Sequence, residues 1–245
     1  MRTLVSAFGG VAVGCAALSG CSFEFGTTST PTVSQDALQN DIADRLSKAG
    51  EKPQSVTCDG SLIGEVGKTT RCDVVISRTN SFQPVITVTK VDGTMVSYDI
   101  NPAISKEQLE KYISARDSDA GLRVESVSCE SGLDGKKGAI TYCDTEAPKG
   151  TFRRNVEITD VDGLLMDLSF VPVYTKNEIA TGLLDILEQK IGHRPDSATC
   201  DDDLVGEEDN TIDCTVTDGS DEQVYTLTVT GVEGDNIDFS YAPKE

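Results

Sequence analysis

The stretch "CDGSLIGEVGKTTRC" at residues 58–72 recurs as "CESGLDGKKGAITYC" at 129–143 and as "CDDDLVGEEDNTIDC" at 200–214. The first cysteines of the three stretches are 71 residues apart, and so are the second cysteines. A fixed period on two markers is typical of tandem repeats of one structural unit. The sequence therefore predicts three small domains: repeat domain 1 at residues 34–102, repeat domain 2 at 105–172 and repeat domain 3 at 175–245.

Each copy shows the same order of local patterns. A hydroxyl residue that can cap a helix precedes an apolar stripe of four-residue spacing, such as Leu38, Ile42 and Leu46, and a glycine follows it. The caps are Ser34, Ser105 and Thr175, and the glycines are Gly50, Gly121 and Gly192. Two strands of period two come last and are joined by Asp-Gly or Glu-Gly turns. The predicted fold class is α+β, with one helix packed on an antiparallel sheet of about four strands in each repeat.

The cysteines of the repeats favour disulfides over a metal site. Each repeat offers two cysteines and no partner histidine, whereas a structural zinc ion takes four ligands. We predict one disulfide per repeat, formed by Cys58 and Cys72, by Cys129 and Cys143, and by Cys200 and Cys214. Each bridge is expected to add about 3 kcal/mol by constraining the unfolded chain of a domain near the lower size limit for a self-sufficient core.

The first residues, "MRTLVSAFGGVAVGCAALSGC", are typical of an export signal. A short basic start and an apolar run end in Leu18-Ser19-Gly20-Cys21, which is similar to a bacterial lipobox. We predict a lipoprotein signal peptide at residues 1–20, a lipidated Cys21, and a tether at residues 21–33. Cys15 is the rival lipidation site, but the residues before it lack the usual leucine. The predicted localisation is extracytoplasmic, with a lipid anchor in the cell membrane.

The charge of the chain excludes one class of partner and is unevenly distributed. The formal net charge is −20, which repels phosphate backbones and argues against nucleic-acid binding. Repeat domains 1, 2 and 3 carry −2, −4 and −14. The acidic run in domain 3 raises the hypothesis of a calcium site. Val205 stands where a calcium loop needs a polar ligand, so we predict no metal site, although calcium binding by domain 3 stays open.

The sequence offers no pattern that predicts catalysis. A Walker loop needs a glycine where Leu62 stands, and the other copies lack the Gly-Lys-Thr of residues 67–69. The single histidine, His193, follows a helix-ending glycine and is interpreted as a solvated turn residue. We therefore predict no catalytic residues and no cofactor.

The repeated unit resembles a known family. Its helix cap, apolar helix, "SVTC" strand, Leu-x-Gly, second cysteine and final strand ending in proline are similar to domain of unknown function 4333, found in secreted and lipid-anchored actinobacterial proteins. The resemblance covers residues 34–243. The Cys-Pro usual in that family is replaced here by Cys58-Asp59, Cys129-Glu130 and Cys200-Asp201. The resemblance implies no activity, because none is established for the family.

Three functional hypotheses follow from these features. The first is a non-enzymatic envelope lipoprotein whose domains bind a protein or cell-wall partner, with the cysteine-bounded loops and the acidic third domain as contact surfaces. The second is an inhibitor of an envelope or extracellular enzyme, which inserts a loop such as residues 58–72 into a cleft. The third is an envelope hydrolase.

Overall fold

The computed structural model describes residues 30–244, which form three units in series. Unit 1 contains β1 Thr32–Val33, α1 Gln35–Lys48, β2 Ser55–Cys58, β3 Leu62–Ile63, β4 Thr69–Val75, β5 Ser81–Phe82, β6 Val85–Asp92 and β7 Met95–Asn101. Unit 2 contains β8 Ala103–Ile104, α2 Lys106–Asp119, β9 Ser126–Cys129, β10 Leu133–Asp134, β11 Ile140–Ala147, β12 Gly150–Asp162 and β13 Leu165–Tyr174. Unit 3 contains α3 Lys176–Ile191, β14 Ser197–Cys200, β15 Leu204–Val205, β16 Thr211–Asp218, β17 Asp221–Glu233 and β18 Asn236–Pro243.

The predicted signal peptide at 1–20, the lipidation site Cys21 and residues 21–29 of the predicted tether lie outside the described residues. Thr32 and Val33, at the end of that tether, form β1. None of the helices in residues 30–244 combines the length and apolar character needed to span a bilayer.

The predicted caps start all three helices. The Ser34 hydroxyl accepts a hydrogen bond from the Ala37 amide at 3.3 Å. Ser105 with Gln108 and Thr175 with Glu178 form complete capping boxes. In each, the cap hydroxyl accepts from the backbone amide of the third helical residue, and the side chain of that residue accepts from the amide of the cap. The glycines after the helices have φ near +90°, a left-handed conformation that ends a helix: Gly50, Gly121 and Gly192.

The helices bury their apolar stripes against antiparallel sheets built on four principal strands. Leu38, Ile42 and Leu46 are fully buried in unit 1. The principal strands are ordered β2-β4-β6-β7 in unit 1, β9-β11-β12-β13 in unit 2 and β14-β16-β17-β18 in unit 3. A fifth strand is added in two sheets, β5 beside β4 in unit 1 and β15 beside β13 in unit 2. Because the order is the same in every unit, the predicted α+β repeat is confirmed.

Each unit carries one disulfide, as predicted. The two cysteines of each bridge lie directly opposite each other on neighbouring strands, and all six are buried. The bridges join Cys58 to Cys72, Cys129 to Cys143 and Cys200 to Cys214. Disulfides persist in oxidising compartments, so they indicate a protein outside the cytoplasm.

The last two long strands of every unit form a hairpin with a two-residue turn. The turns are Gly93-Thr94, Gly163-Leu164 and Gly234-Asp235, which we call the hairpin tips. Each glycine has φ near +60°, and a glycine in the first central position is typical of a turn that matches the twist of the strands. All three hairpins contain a bulge four residues before the glycine, so that even this irregularity repeats.

A second repeated glycine holds the segment that enters each unit. The amides of Gly64, Gly135 and Gly206 donate hydrogen bonds to the carbonyl oxygens of Pro31, Pro102 and Pro172 at 2.7–2.8 Å. A Cβ atom on these glycines would lie 2.5, 2.3 and 3.0 Å from the same oxygens, which explains why the glycine recurs. Pro102 and Pro172, which in the sequence mark the ends of repeats 1 and 2, therefore also begin the connection to the next unit.

The connections between units are strands. In each unit the entering segment pairs with the short strand of the cysteine loop, as β1 with β3 and β8 with β10. At the second connection β13 belongs to two ladders, because Val173 pairs with Arg153 of unit 2 and with Val205 of unit 3. Units 2 and 3 are thus joined by one continuous strand.

Candidate functional site

The cysteine-bounded loops, one of the predicted contact surfaces, are fixed to their own sheets. In unit 1 the Gly67 amide donates to the Val88 carbonyl at 2.9 Å, and Leu62 is buried beneath the loop. The equivalent bonds run from Gly138 to Ile158 and from Asp209 to Val229. The loops therefore present rigid surfaces, on which Ile63 and Val66 of unit 1 are exposed.

The polar groups that the sequence singled out take part in local contacts. Lys68 lies 3.7 Å from Glu65 in an exposed ion pair, and His193 Nε2 lies 2.7 Å from Asp218 Oδ2 at the surface. In the acidic run, the Asp203 carboxylate accepts a hydrogen bond from the Lys176 amide at the start of α3, at 2.8 Å. Residues 30–244 contain no group of three or more His, Cys, Asp or Glu side chains arranged to hold a metal ion.

The surfaces where units meet are the most specific features of the molecule. At the first junction, the tip of unit 2 packs on unit 1. Leu164 is 6% exposed and belongs to the buried cluster of unit 1 that includes Leu46, Val74 and Phe82. Ala49 and Ile76 line the clefts beside Leu164. We call these five residues of unit 1 the tip socket: Leu46, Ala49, Val74, Ile76 and Phe82.

A cleft of about 490 Å³ remains beside this junction. Its apolar walls include Phe82, Tyr112 and Leu168, and its rim includes Glu51 and Asp167. The volume falls within the range of small-molecule sites, so the cleft has room for a small apolar ligand.

At the second junction the tip of unit 3 packs on unit 2, and this contact is ionic, whereas the first one is apolar. The Arg154 guanidinium donates to Asp117 Oδ2 at 2.7 Å and, through Nε and Nη2, to both oxygens of Asp235 at 2.8 Å. Thr145 Oγ1 donates to Asp117 at 3.2 Å and accepts from Arg154 at 3.1 Å. Asp235 is the tip of unit 3, so one buried arginine links a helix, a sheet and the next unit.

Burial and pairing act in opposite directions on Arg154. Asp117 and Arg154 are the only charged side chains buried among residues 30–244. Burial lowers the pKa of Arg154, but the hydrogen bonds and charges of Asp235 and Asp117 raise it by more. The arginine therefore stays charged, and the junction depends on both carboxylates.

Arg153 makes a second link on the other face of the strand. Its guanidinium donates to Asp144 at 3.1 Å, pairs with Glu130, and lies 3.9 Å from Asp203 of unit 3. The two neighbouring arginines thus contact unit 3 from opposite sides of β12.

Sequence reasoning missed both junctions, although the repeats carry a signal for them. The repeat register places Asp117 where unit 1 has Leu46, Thr145 where it has Val74, and Asp235 where unit 2 has Leu164. All three positions change from apolar to polar together. A comparison of the copies position by position would have predicted that these residues touch.

Comparison with known proteins gives one match. The family described as Domain of unknown function (DUF4333) matches three tandem segments, residues 16–93, 96–163 and 166–234. The second and third segments begin one strand before our units, because a tandem repeat can be divided at any point of its period. No curated protein and no solved structure matches the chain.

Proposed function

We propose that this chain, which belongs to the DUF4333 family, is a non-enzymatic binding protein held outside the cytoplasm by a lipid on Cys21. Membership of the family accounts for the repeated unit but implies no activity. The proposal therefore rests on the residues of this chain. The observation that carries it is the pair of buried junctions, because they hold each unit against its neighbour and so fix how the three units are presented to a partner.

The charge of the far unit supports a protein partner with a basic surface. Unit 3 contains four Lys or Arg residues against eighteen Asp or Glu residues. Two of the four cations are already paired, Arg194 with Asp185 and Glu188, and Lys244 with Asp213. The remaining negative field favours encounter with a positively charged protein and disfavours an anionic wall polymer.

The chemistry of the buried charges supports a non-enzymatic role. Asp117 and Arg154 neutralise each other and hold a junction, and the His193 side chain is exposed and bonded to Asp218. These groups have structural partners, so they need no substrate to explain their position.

The lipid anchor has a direct test with a matched control. We expect Cys21→Ser to move the protein from the membrane fraction to the soluble fraction, because the thiol that would carry the lipid is lost. Cys15→Ser lies in the same segment and is expected to leave the protein in the membrane. Fractionation of cells followed by immunoblotting measures both. Release by Cys15→Ser and retention of Cys21→Ser would contradict the assignment.

The binding role is tested by photo-crosslinking in living cells from one exposed apolar position in each unit. Val66 is 68% exposed, and Ile140 and Ile191 are each 48% exposed, so a crosslinking side chain at these positions leaves the core intact. We expect one dominant protein to be captured, with the highest yield from unit 3. Mass spectrometry of the adducts identifies it. Capture of glycan alone would replace the protein partner by a wall polymer, and no adduct from any position would contradict a binding role.

A further inference from the structure

The residues that form the tip socket of unit 1 have counterparts in unit 3. The helix register matches Leu46 to Leu187, and the strand register matches Val74, Ile76 and Phe82 to Val216, Asp218 and Gln223. Helix α3 is two residues longer than α1, and Ile191, directly before Gly192, takes the place that Ala49 has before Gly50. Together with Pro195 and Tyr225, these five counterparts line one cavity of about 240 Å³. We call this cavity the unit 3 socket.

The unit 3 socket is open. In units 1 and 2 the corresponding place is covered by the tips that carry Leu164 and Asp235, whereas no hairpin tip of residues 30–244 covers it in unit 3. Ile191 is 48% exposed at its edge, while Leu187 and Val216 are buried in its floor. The place that a hairpin tip covers in units 1 and 2 is therefore uncovered in unit 3, and Ile191 is its exposed apolar edge.

We infer that the unit 3 socket binds a β-turn of a partner protein that carries an aliphatic side chain at the position of Leu164, flanked by lysine or arginine. This inference rests on the proposed binding function and names the site. Two segments of the same chain show what this kind of surface accommodates. The tip with Leu164 packs on unit 1, and the tip with Asp235 packs on unit 2.

The chemistry of the socket selects the side chain and its flanks. The floor is apolar and contains no cation equivalent to Arg154, so an acidic tip such as Asp235 has no partner there. Asp218, Asp221 and Glu222 line the same cavity. An aliphatic tip packs on Ile191 above the floor of Leu187 and Val216. Asp218 is already bonded to His193, so basic flanks pair chiefly with Asp221 and Glu222.

The charges disfavour a second copy of this chain as the occupant. The tip of unit 1 carries Thr94 where Leu164 stands in unit 2, and it is preceded by Asp92. A polar tip leaves the apolar floor uncovered, and Asp92 would face the carboxylates of the socket. Two copies also carry a formal net charge of −20 each.

The test uses a cyclised hairpin peptide that copies residues 158–168 with Asp160→Lys and Asp162→Lys. It is titrated into the full chain in detergent, with disulfides formed and with labelled Ile, Leu and Val methyl groups. We expect saturable shifts at Ile191, Leu187 and Val216. The same peptide with Leu164→Asp should bind about tenfold more weakly or worse, because the buried leucine supplies most of the apolar contact.

Matched variants of the protein distinguish binding at the unit 3 socket from nonspecific binding of the peptide. Ile191→Lys should abolish the shifts, whereas Ile140→Lys, at an equally exposed position of unit 2, should leave them unchanged. The inference is overturned if no methyl shifts occur in the socket, if both variants weaken binding equally, or if the peptide without the lysines binds as tightly. Self-association in ultracentrifugation that Ile191→Lys removes would also overturn it, in favour of a second copy.

The two proposals fail in different ways. A partner captured in cells from Val66 or Ile140 but never from Ile191 would preserve the binding function and contradict the socket. Peptide binding at the socket without any captured protein in cells would support the socket and contradict the binding function.

Discussion

Arg154→Met is expected to lower the free energy of unfolding of unit 2 by about 3 kcal/mol, because Asp117 loses its buried partner and keeps only the Thr145 hydrogen bond and the half-exposed Arg116 at 3.5 Å. Asp117 is 4% exposed and Arg154 is 5% exposed, so water cannot replace the lost contact without opening the junction. The chain contains no tryptophan, so hydrogen exchange measured by mass spectrometry is the best readout, since it resolves the three units. We expect exchange to rise in α2 and β11, and to change little in α1.

Replacing the whole ionic contact by its apolar counterpart is the matched comparison. The combined variant introduces the residues of the first junction at three positions, Asp117→Leu, Thr145→Val and Asp235→Leu, and replaces Arg154 by Met. Buried ion pairs exchanged for well-packed apolar residues are often neutral or stabilising, so we expect most of the loss to be recovered. A combined variant no more stable than Arg154→Met would show that the two junctions do not share one geometry.

Leu164→Asp is expected to detach the tip of unit 2 from unit 1 and to lower the stability of unit 1 by about 2–3 kcal/mol. The tip socket has an apolar floor of Leu46, Val74 and Phe82, which offers no hydrogen bond to a carboxylate. The amides near the end of α1 should exchange faster, and small-angle scattering should report a wider range of orientations between units 1 and 2.

Thr94→Asp is the control for this second prediction. Thr94 occupies the same turn position in unit 1, where it is exposed. A surface change of this kind is expected to alter stability by less than about 0.5 kcal/mol. Equal losses for both variants would mean that the turn itself, and not the contact with unit 1, sets the effect.

The parts of the fold that depend on local patterns were predictable. Ser105 and Gln108 identify a capping box from their spacing alone, and Gly121 identifies the end of the helix. The alternation of Val156 and Ile158 assigns the buried face of β12, and both residues are fully buried. The helix cap, the glycine after the helix and the strand alternation repeat in each copy, so each of these patterns has two counterparts within the same chain.

The junctions were not predictable from local patterns, because they join residues far apart in sequence. Asp117 lies 37 residues from Arg154, and Arg154 lies 81 residues from Asp235. In a helix pattern, Asp117 reads as a polar interruption of the apolar stripe, and only its three-dimensional neighbours show why it is buried. Likewise, the sequence pattern places β13 at the end of repeat 2. It gives no sign of the second ladder, because β15, the strand that pairs with Val173 and Tyr174 there, lies in the cysteine loop of the next repeat.

The strand β13 determines how this protein can be dissected. Val173 pairs with Arg153 of unit 2 and with Val205 of unit 3 in one five-stranded sheet, so no single peptide bond separates units 2 and 3 and leaves that sheet complete. A truncation after Tyr174 removes β15 from the edge of the sheet of unit 2 and takes Asp235 away from Arg154. A shortened chain would therefore lose more than the acidic unit. Point substitutions on the outer face, rather than deletions, are the appropriate way to ask what unit 3 contributes.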